Sequence, residues 1–220
     1  MAQSKSHELF PLLILALTFI VTSQYYSQLP GQIALHFSAS GATDGLVDKL
    51  YGILAVPIAS VILYAAIYSL PFLDTREKHV NGIGNYVYSM KVLLLLALLM
   101  LQLYLVSYNS LSPFLPDKFT ALIDLVACLA ILNLSLVLFH VKQNYFIGIR
   151  TPYTLSNKKI WERTNTLGGK LLAALAFILA ASAVLSEAFF LHFLVIGIAI
   201  IAAFTFVYSL ALYKRYAVGF

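Results

Sequence analysis

Six long apolar runs constrain this chain more than any other feature of its sequence. They cover residues 9–27, 50–73, 86–108, 119–140, 171–190 and 191–213. A run of about 20 residues, rising roughly 1.5 Å per residue as a helix, crosses the hydrocarbon core of a bilayer. The chain is also 61% hydrophobic and only 10% charged, whereas a soluble domain carries about 25% charged residues. The sequence therefore predicts an all-α, polytopic membrane protein with six transmembrane helices.

The ends of three of these runs need more than their length to be interpreted. The first run has the position of a signal peptide, but it exceeds the usual apolar core of about 7–15 residues. It also ends in Tyr25 and Tyr26 and not in a small-residue cleavage site, so we expect it to stay as the first helix. The last two runs are separated only by Ser186 and Glu187 and their neighbours, which predicts a tight hairpin turn there. The single cysteine, Cys128, excludes an intramolecular disulfide.

The basic residues predict the orientation of the six spans. Only Lys49 and Lys118 fall on one side of the membrane. The other side receives Lys5, Arg76, Lys78, Lys91, Lys142, Arg150, Lys158, Lys159, Arg163, Lys170, Lys214 and Arg215. Because basic residues concentrate in cytoplasmic loops, both termini and the interval 141–170 are predicted to be cytoplasmic. The net charge of +5 then suits contact with anionic lipid headgroups, and we expect no direct nucleic-acid partner.

The interval 141–170 is the one long polar stretch between apolar runs. Helix connections are usually about 2–8 residues long, so this interval exceeds what a simple connector needs. Arg150 offers a planar guanidinium suited to a carboxylate or a phosphate, and Gly148 and Pro152 on either side predict a defined turn. We interpret the interval as a binding surface centred on Arg150.

A short amphipathic helix is expected after this turn. Thr154 or Ser156 would cap its start, Trp161 would lie on its apolar face, and Gly168-Gly169 would end it. An alternative interpretation is an interfacial helix that uses Trp161 as a membrane anchor and its lysines to touch lipid phosphate.

The loop 28–49, predicted to be extracytoplasmic, has a pattern of its own. Ile33, Leu35 and Phe37 alternate with Ala34 and His36, which predicts an extended segment. Turns are expected at Ser38–Gly41 and at Asp44-Gly45. His36, Asp44 and Asp48 are candidate metal ligands, but no second histidine or cysteine accompanies them at a ligand spacing. We therefore predict no metal and no cofactor, with Asp48 at the start of the second helix.

Two motifs resemble a known family. The segment Asn144-Tyr145-Phe146-Ile147-Gly148-Ile149-Arg150-Thr151-Pro152, followed by Trp161, Thr164, Asn165 and Gly168, resembles the signature of the SdpI-like family. That family takes its name from an immunity protein against the sporulation-delaying toxin. Leu29-Pro30-Gly31-Gln32-Ile33, followed by His36-Phe37, Gly41, Asp44-Gly45 and Lys49, resembles the family's accompanying N-terminal domain of unknown function. Two positions depart from the pattern, with Tyr153 where Trp is usual and Asn165 where His is frequent.

The resemblance implies a multi-pass protein of a prokaryotic plasma membrane that gives resistance to a membrane-active peptide toxin. In the family's namesake the protein also acts as a receptor that holds a cytoplasmic transcriptional repressor at the membrane. We predict no enzymatic activity for this chain. Residues 1–85 would form an N-terminal helical hairpin with its loop 28–49, and residues 86–220 a four-helix region with its signature loop 141–170. The residues expected to bind a ligand or partner are Asn144, Tyr145, Gly148, Arg150, Thr151, Pro152, Trp161, His36 and Asp44.

Two other functions stay open at this point. A small-solute transporter or channel would need a polar path, for which Gln102, Asp124 and Asn133 are the available span residues. A membrane enzyme would use His36, Asp44 and Asp48 as a metal or acid–base cluster, although no nucleophile–base pair is recognisable.

Overall fold

A computed structural model describes residues 5–37, 43–73, 83–116, 118–185 and 190–217. The elements in chain order are α1 (Lys5–Tyr25), a 3-10 turn (Tyr26–Gln28), β1 (Gln32–Phe37), β2 (Thr43–Asp48), α2 (Lys49–Leu73), α3 (Gly84–Asn109), α4 (Phe119–His140), α5 (Pro152–Ser156), α6 (Lys158–Leu185) and α7 (Phe190–Ala217). Six of these helices, all except α5, are long and apolar enough to cross a membrane. The predicted all-α, polytopic architecture is confirmed.

Several predictions fall on parts of the chain that the structure does not describe. These are the hairpin turn at Ser186 and Glu187, the turn at Ser38–Gly41, and the basic residues Arg76 and Lys78. The cytoplasmic placement of the two termini stays a prediction, as does the division of the chain between residues 85 and 86.

The helices pack around α3 and α6. The α3 helix lies against α1, α2 and α4, and α6 lies against α4 and α7. One apolar cluster near the hairpin joins Leu29, Ile33, Ile53 and Val106. The largest cluster centres on Trp161 and Leu179 of α6 and on residues of α4. Most of α7 is exposed, as is expected of an apolar helix that faces lipid.

The strands β1 and β2 form an antiparallel hairpin. Gln32 lies opposite Asp48, and His36 lies opposite Gly45. The predicted extended segment is confirmed, but the prediction of a turn at Asp44-Gly45 was wrong because both residues belong to β2. The pairing needs glycine at this position, since a Cβ on Gly45 would lie 2.9 Å from the Cβ of His36.

Asn109 at the end of α3 fixes this hairpin to the helix bundle. Its Oδ1 accepts a hydrogen bond from the Ala34 amide at 2.7 Å, and its Nδ2 donates to the Ala34 carbonyl oxygen at 3.1 Å. A side-chain amide thus pairs with β1 as a neighbouring strand would. The hairpin and the end of α3 therefore form one packed unit.

The start of α6 differs from the prediction. Asn157 caps the helix, and its Oδ1 accepts hydrogen bonds from the amides of Lys159 at 2.8 Å and Ile160 at 3.3 Å. Thr154 and Ser156, the predicted caps, instead lie in α5. Asparagine suits a cap because its side-chain oxygen replaces the missing acceptor for the first amides.

The prediction that Gly168-Gly169 ends this helix was also wrong, because α6 runs without a break from Lys158 to Leu185. The two glycines instead leave room for neighbouring residues to pack closely against α6. The Ile149 side chain lies directly over Gly168, and Ser135 Oγ of α4 donates to the Gly169 carbonyl oxygen at 2.8 Å. A side chain at Gly169 would come 3.1 Å from the Ser135 carbonyl oxygen, so glycine is what allows α4 and α6 to approach.

Candidate functional site

The segment between α4 and α6 folds back on itself through Asn144. Its Oδ1 accepts hydrogen bonds from the amides of Phe146 at 2.7 Å and Ile147 at 2.8 Å. Its Nδ2 donates to the carbonyl oxygens of Lys142 at 2.8 Å and Ile147 at 2.9 Å. The residue is only 3% exposed. Asn144 therefore uses its hydrogen-bonding groups inside the loop, where they fix the loop's conformation.

Gly148 makes the next bend. Its φ of +121° lies in a region that residues other than glycine rarely adopt. A Cβ here would lie 2.8 Å from the Trp161 ring and 2.9 Å from Asn165 Oδ1. That same Oδ1 accepts a hydrogen bond from the Ile149 amide at 2.8 Å. Glycine is required at this position both by the backbone and by the space available.

Trp161 closes the loop against α4. Its Nε1 donates to the Val141 carbonyl oxygen at 3.0 Å, and the side chain is 0% exposed. The alternative interpretation of Trp161 as a membrane anchor is therefore wrong, since an anchor must reach the interface. Its fully buried ring lies in the main core cluster, where it supports the bend at Gly148.

A capping box then orders α5. Thr151 Oγ1 accepts from the Thr154 amide at 3.1 Å, and Thr154 Oγ1 accepts from the Thr151 amide at 2.8 Å. Pro152 occupies the first turn, where no amide donor is needed. Thr151 Oγ1 also lies 3.0 Å from Ser209 Oγ of α7. The loop is thus attached to α7 as well as to α4 and α6.

Of the predicted site residues in this loop, three are exposed, namely Tyr145, Arg150 and Pro152, here called the Arg150 surface. The Arg150 guanidinium donates to the Tyr145 carbonyl oxygen, and Tyr145 is itself 58% exposed. A guanidinium has five N–H donors, so one such bond orients the group and leaves capacity for a ligand. Of the predicted site residues, Asn144, Thr151 and Trp161 are buried behind this surface.

The predicted outer residues lie at the hairpin. His36 is exposed on β1, and the backbone of Asp44 lies in β2, while the Asp44 side chain is outside what the structure describes. Asp48 Oδ1 accepts from the Leu50 amide at 2.9 Å, which caps α2 as predicted. His36 stands four positions along β1 from Gln32, the partner of Asp48, or about 13 Å at strand spacing. His36 and Asp48 therefore do not belong to one metal site.

Sequence reasoning missed a buried ionic cluster among the first three helices. The Lys91 ammonium of α3 contacts both carboxylate oxygens of Glu8 of α1 at 2.6 Å. Tyr64 of α2 donates to the same carboxylate at 3.0 Å. Lys91 is 2% exposed. The sequence carried one signal for this cluster. Glu8, next to the first predicted span, and Lys91, in the third, lie near the same predicted face of the membrane.

Gln102 forms a second polar link in the same helix group. Its Nε2 donates to Thr22 Oγ1 of α1 at 2.9 Å and to the Ile53 carbonyl oxygen of α2 at 3.1 Å. Buried side-chain amides between helices hold those helices together in lipid. Gln102, one of the residues considered for a transport path, thus bonds to α1 and α2.

The fold, the hairpin and the Arg150 surface together define a multi-pass cell membrane protein. It has a strand hairpin after its first helix and an ordered basic loop before its fifth span. Residues 140–209 match the SdpI/YfhL protein family, and residues 13–61 match a domain of unknown function, DUF1648. The chain is 27% identical over 174 residues, 77% of either chain, to a protein named Immunity protein SdpI from Bacillus subtilis (strain 168). No solved structure matches. The predicted resemblance to the SdpI-like family is confirmed.

Proposed function

We propose that this chain is a membrane immunity protein that protects its cell against a membrane-active peptide toxin. The similarity to an immunity protein over 77% of both chains supports this role. So does the pair of family matches, because one covers the hairpin and the other covers the Arg150 surface. We infer that the role is not enzymatic.

The observation that carries the proposal is the construction of the Arg150 surface. Buried hydrogen bonds of Asn144, Thr151 and Asn165, together with the bend at Gly148, hold a short loop in one conformation. A connector between two spans does not need such ordering. We propose that the loop presents Arg150 and Tyr145 to a carboxylate of a cytoplasmic partner, for which a transcriptional repressor is the candidate that the family suggests.

The hairpin is the proposed toxin-facing surface. His36 is exposed there, and Leu46 and Tyr51 present apolar side chains nearby, Tyr51 being 77% exposed. An amphipathic or apolar peptide would bury this area on binding. Asn109 bonds the hairpin to α3. A peptide bound at the hairpin would therefore contact a segment that is attached directly to the helix bundle.

Survival of toxin-sensitive cells tests the proposal. Cells would express wild type, Arg150→Gln, His36→Ala or the control Lys158→Gln at matched membrane levels, and would receive the sporulation-delaying toxin of the family's namesake. Lys158 is an exposed cation at the start of α6, 3.9 Å from Glu162. We expect wild type and Lys158→Gln to protect, and Arg150→Gln and His36→Ala to lose protection. Equal protection by all four proteins would remove both surfaces from the mechanism.

Transport of a small solute is a second candidate, and the buried Glu8–Lys91 pair favours it, because ionisable residues inside spans often belong to solute or proton pathways. Solute flux into proteoliposomes containing wild type or Lys91→Met tests it. Flux that depends on Lys91, without protection against toxin, would replace the immunity proposal with transport.

A further inference from the structure

A groove runs between the beginning of α6 and the last third of α7. It has a volume of about 350 Å³ and is lined by Glu162, Arg163, Thr166, Leu167, Lys170 and Tyr208. This volume lies within the range of small-ligand sites, about 300–1,000 Å³. The groove is separate from the Arg150 surface, and no function described so far uses it.

The charge of the groove favours an anion. Arg163 and Lys170 contribute two cations against the one carboxylate of Glu162, which in turn lies 3.9 Å from the ammonium of Lys158. The Arg163 guanidinium lies 5.8 Å from the centre of the Tyr216 ring. Such a cation–π contact favours one orientation of the Arg163 side chain.

An exposed apolar stripe continues from this groove along both helices. Starting from Lys170, the same face of α6 carries Ala174 and Phe177 at helical spacing. Starting from Tyr208, the same face of α7 carries Phe204 and Ile200. All four residues are exposed, and the uninterrupted apolar part of α6 begins at residue 171. On α6 the groove therefore lies at the boundary between the polar start of the helix and its apolar remainder, and the apolar stripe begins next to it.

We propose that this groove binds the phosphate headgroup of an anionic glycerophospholipid. Arg163 and Lys170 contact the phosphate, and the hydroxyls of Thr166 and Tyr208 offer neutral donors beside it. The acyl chains lie along the stripe that contains Phe177 and Phe204. Guanidinium and ammonium groups at the membrane boundary are the usual partners of anionic headgroups. This site is independent of the proposed immunity role.

Native mass spectrometry of the full chain in detergent tests the site. Wild type, the double variant Arg163→Gln/Lys170→Gln, the variant Glu162→Gln and the control Lys142→Gln are titrated with phosphatidylglycerol and with phosphatidylcholine. Lys142 is an exposed cation of the preceding loop and does not line the groove. Glycerol 3-phosphate is added as a competitor to separate a lipid site from a site for soluble phosphate esters.

We expect phosphatidylglycerol to bind wild type at least tenfold more tightly than phosphatidylcholine, and the double variant to lose about tenfold in that affinity. Lys142→Gln should change it by less than about twofold, and Glu162→Gln should raise it. An unchanged double variant, an equal loss in Lys142→Gln, or displacement of the lipid by millimolar glycerol 3-phosphate would overturn the proposal. If the double variant does not fold, the Glu162→Gln variant alone tests the site. An unchanged or lower affinity of that variant for phosphatidylglycerol then contradicts the proposal.

Discussion

The ammonium of Lys91 on α3 lies 2.6 Å from the carboxylate of Glu8 on α1, and Tyr64 on α2 donates to that carboxylate. The ammonium also lies 5.3 Å from the centre of the Tyr64 ring and 5.7 Å from that of Tyr88. One ion pair thus joins three helices. Because a charge inside a span is costly without a partner, this pair fixes how the first three helices are aligned.

Breaking the pair from one side should be more harmful than removing it. Lys91→Met leaves the Glu8 carboxylate without its cation, and we expect the free energy of unfolding in detergent to fall by about 3 kcal/mol. The double variant Glu8→Gln/Lys91→Met should recover a large part of that loss, since it leaves no unpaired charge. Thermal and denaturant unfolding of wild type, Glu8→Gln, Lys91→Met and the double variant measures the coupling. Additive effects of the two single changes would show that the residues do not interact.

Gly148→Ala should deform the loop that carries Arg150. The backbone at φ +121° and the 2.8 Å approach to Trp161 both oppose a side chain, so we expect a loss of about 1–3 kcal/mol in unfolding free energy. Gly31→Ala is the matched control, because a Cβ there meets no atom of the described chain within 4 Å. Equal stability of the two variants would show that position 148 tolerates a side chain, which contradicts this prediction.

Trp161 supplies a test that needs no mutation, because it is the chain's one tryptophan. A ring that is 0% exposed and bonded to the Val141 carbonyl oxygen should be weakly quenched by brominated lipids in vesicles. A ring that anchors the helix at the interface would lie at the headgroup level in direct contact with lipid, and would be quenched much more strongly. Strong quenching would therefore contradict the buried position.

Asn109→Ala should release β1 from α3. The Ala34 amide would lose its acceptor at 2.7 Å, and we expect its hydrogen exchange to accelerate about tenfold, the effect of losing one hydrogen bond. Ser110→Ala is a suitable control, because Ser110 Oγ bonds to the Ser107 and Ser112 carbonyl oxygens. Unchanged exchange at Ala34 would mean that the hairpin is held by other contacts.

The spans and the importance of the loop before α6 could be predicted because they depend on local properties. Apolar run length determines whether a helix can cross a membrane, and a glycine, an arginine and a proline in one short polar segment indicate an ordered turn. The same local reasoning identified the strand β1 from its alternation. It also predicted that Asp48 would begin α2.

The remaining features depend on residues that are distant in the sequence. Glu8 and Lys91 are 83 positions apart, and only helix packing brings them together. Gly168 and Gly169 carry the residue type of a helix end, yet Ile149 and Ser135 occupy the space beside them. Asn144, Thr151 and Trp161 carry side chains of types that suit a binding site, but all three are buried. Residue type alone does not distinguish a group that builds a loop from one that the loop presents.

Membrane potential in toxin-treated cells is the most direct measure of protection by this protein. A potential-sensitive dye would follow cells that carry wild type, Arg150→Gln, Arg150→Lys or no copy of this protein, at matched membrane levels. If the protein confers immunity, we expect wild-type cells to keep their potential, while cells without the protein and cells with Arg150→Gln depolarise. Arg150→Lys should protect partially, because an ammonium keeps the charge but not the planar fork. Depolarisation of wild-type cells as fast as cells without the protein would contradict the account.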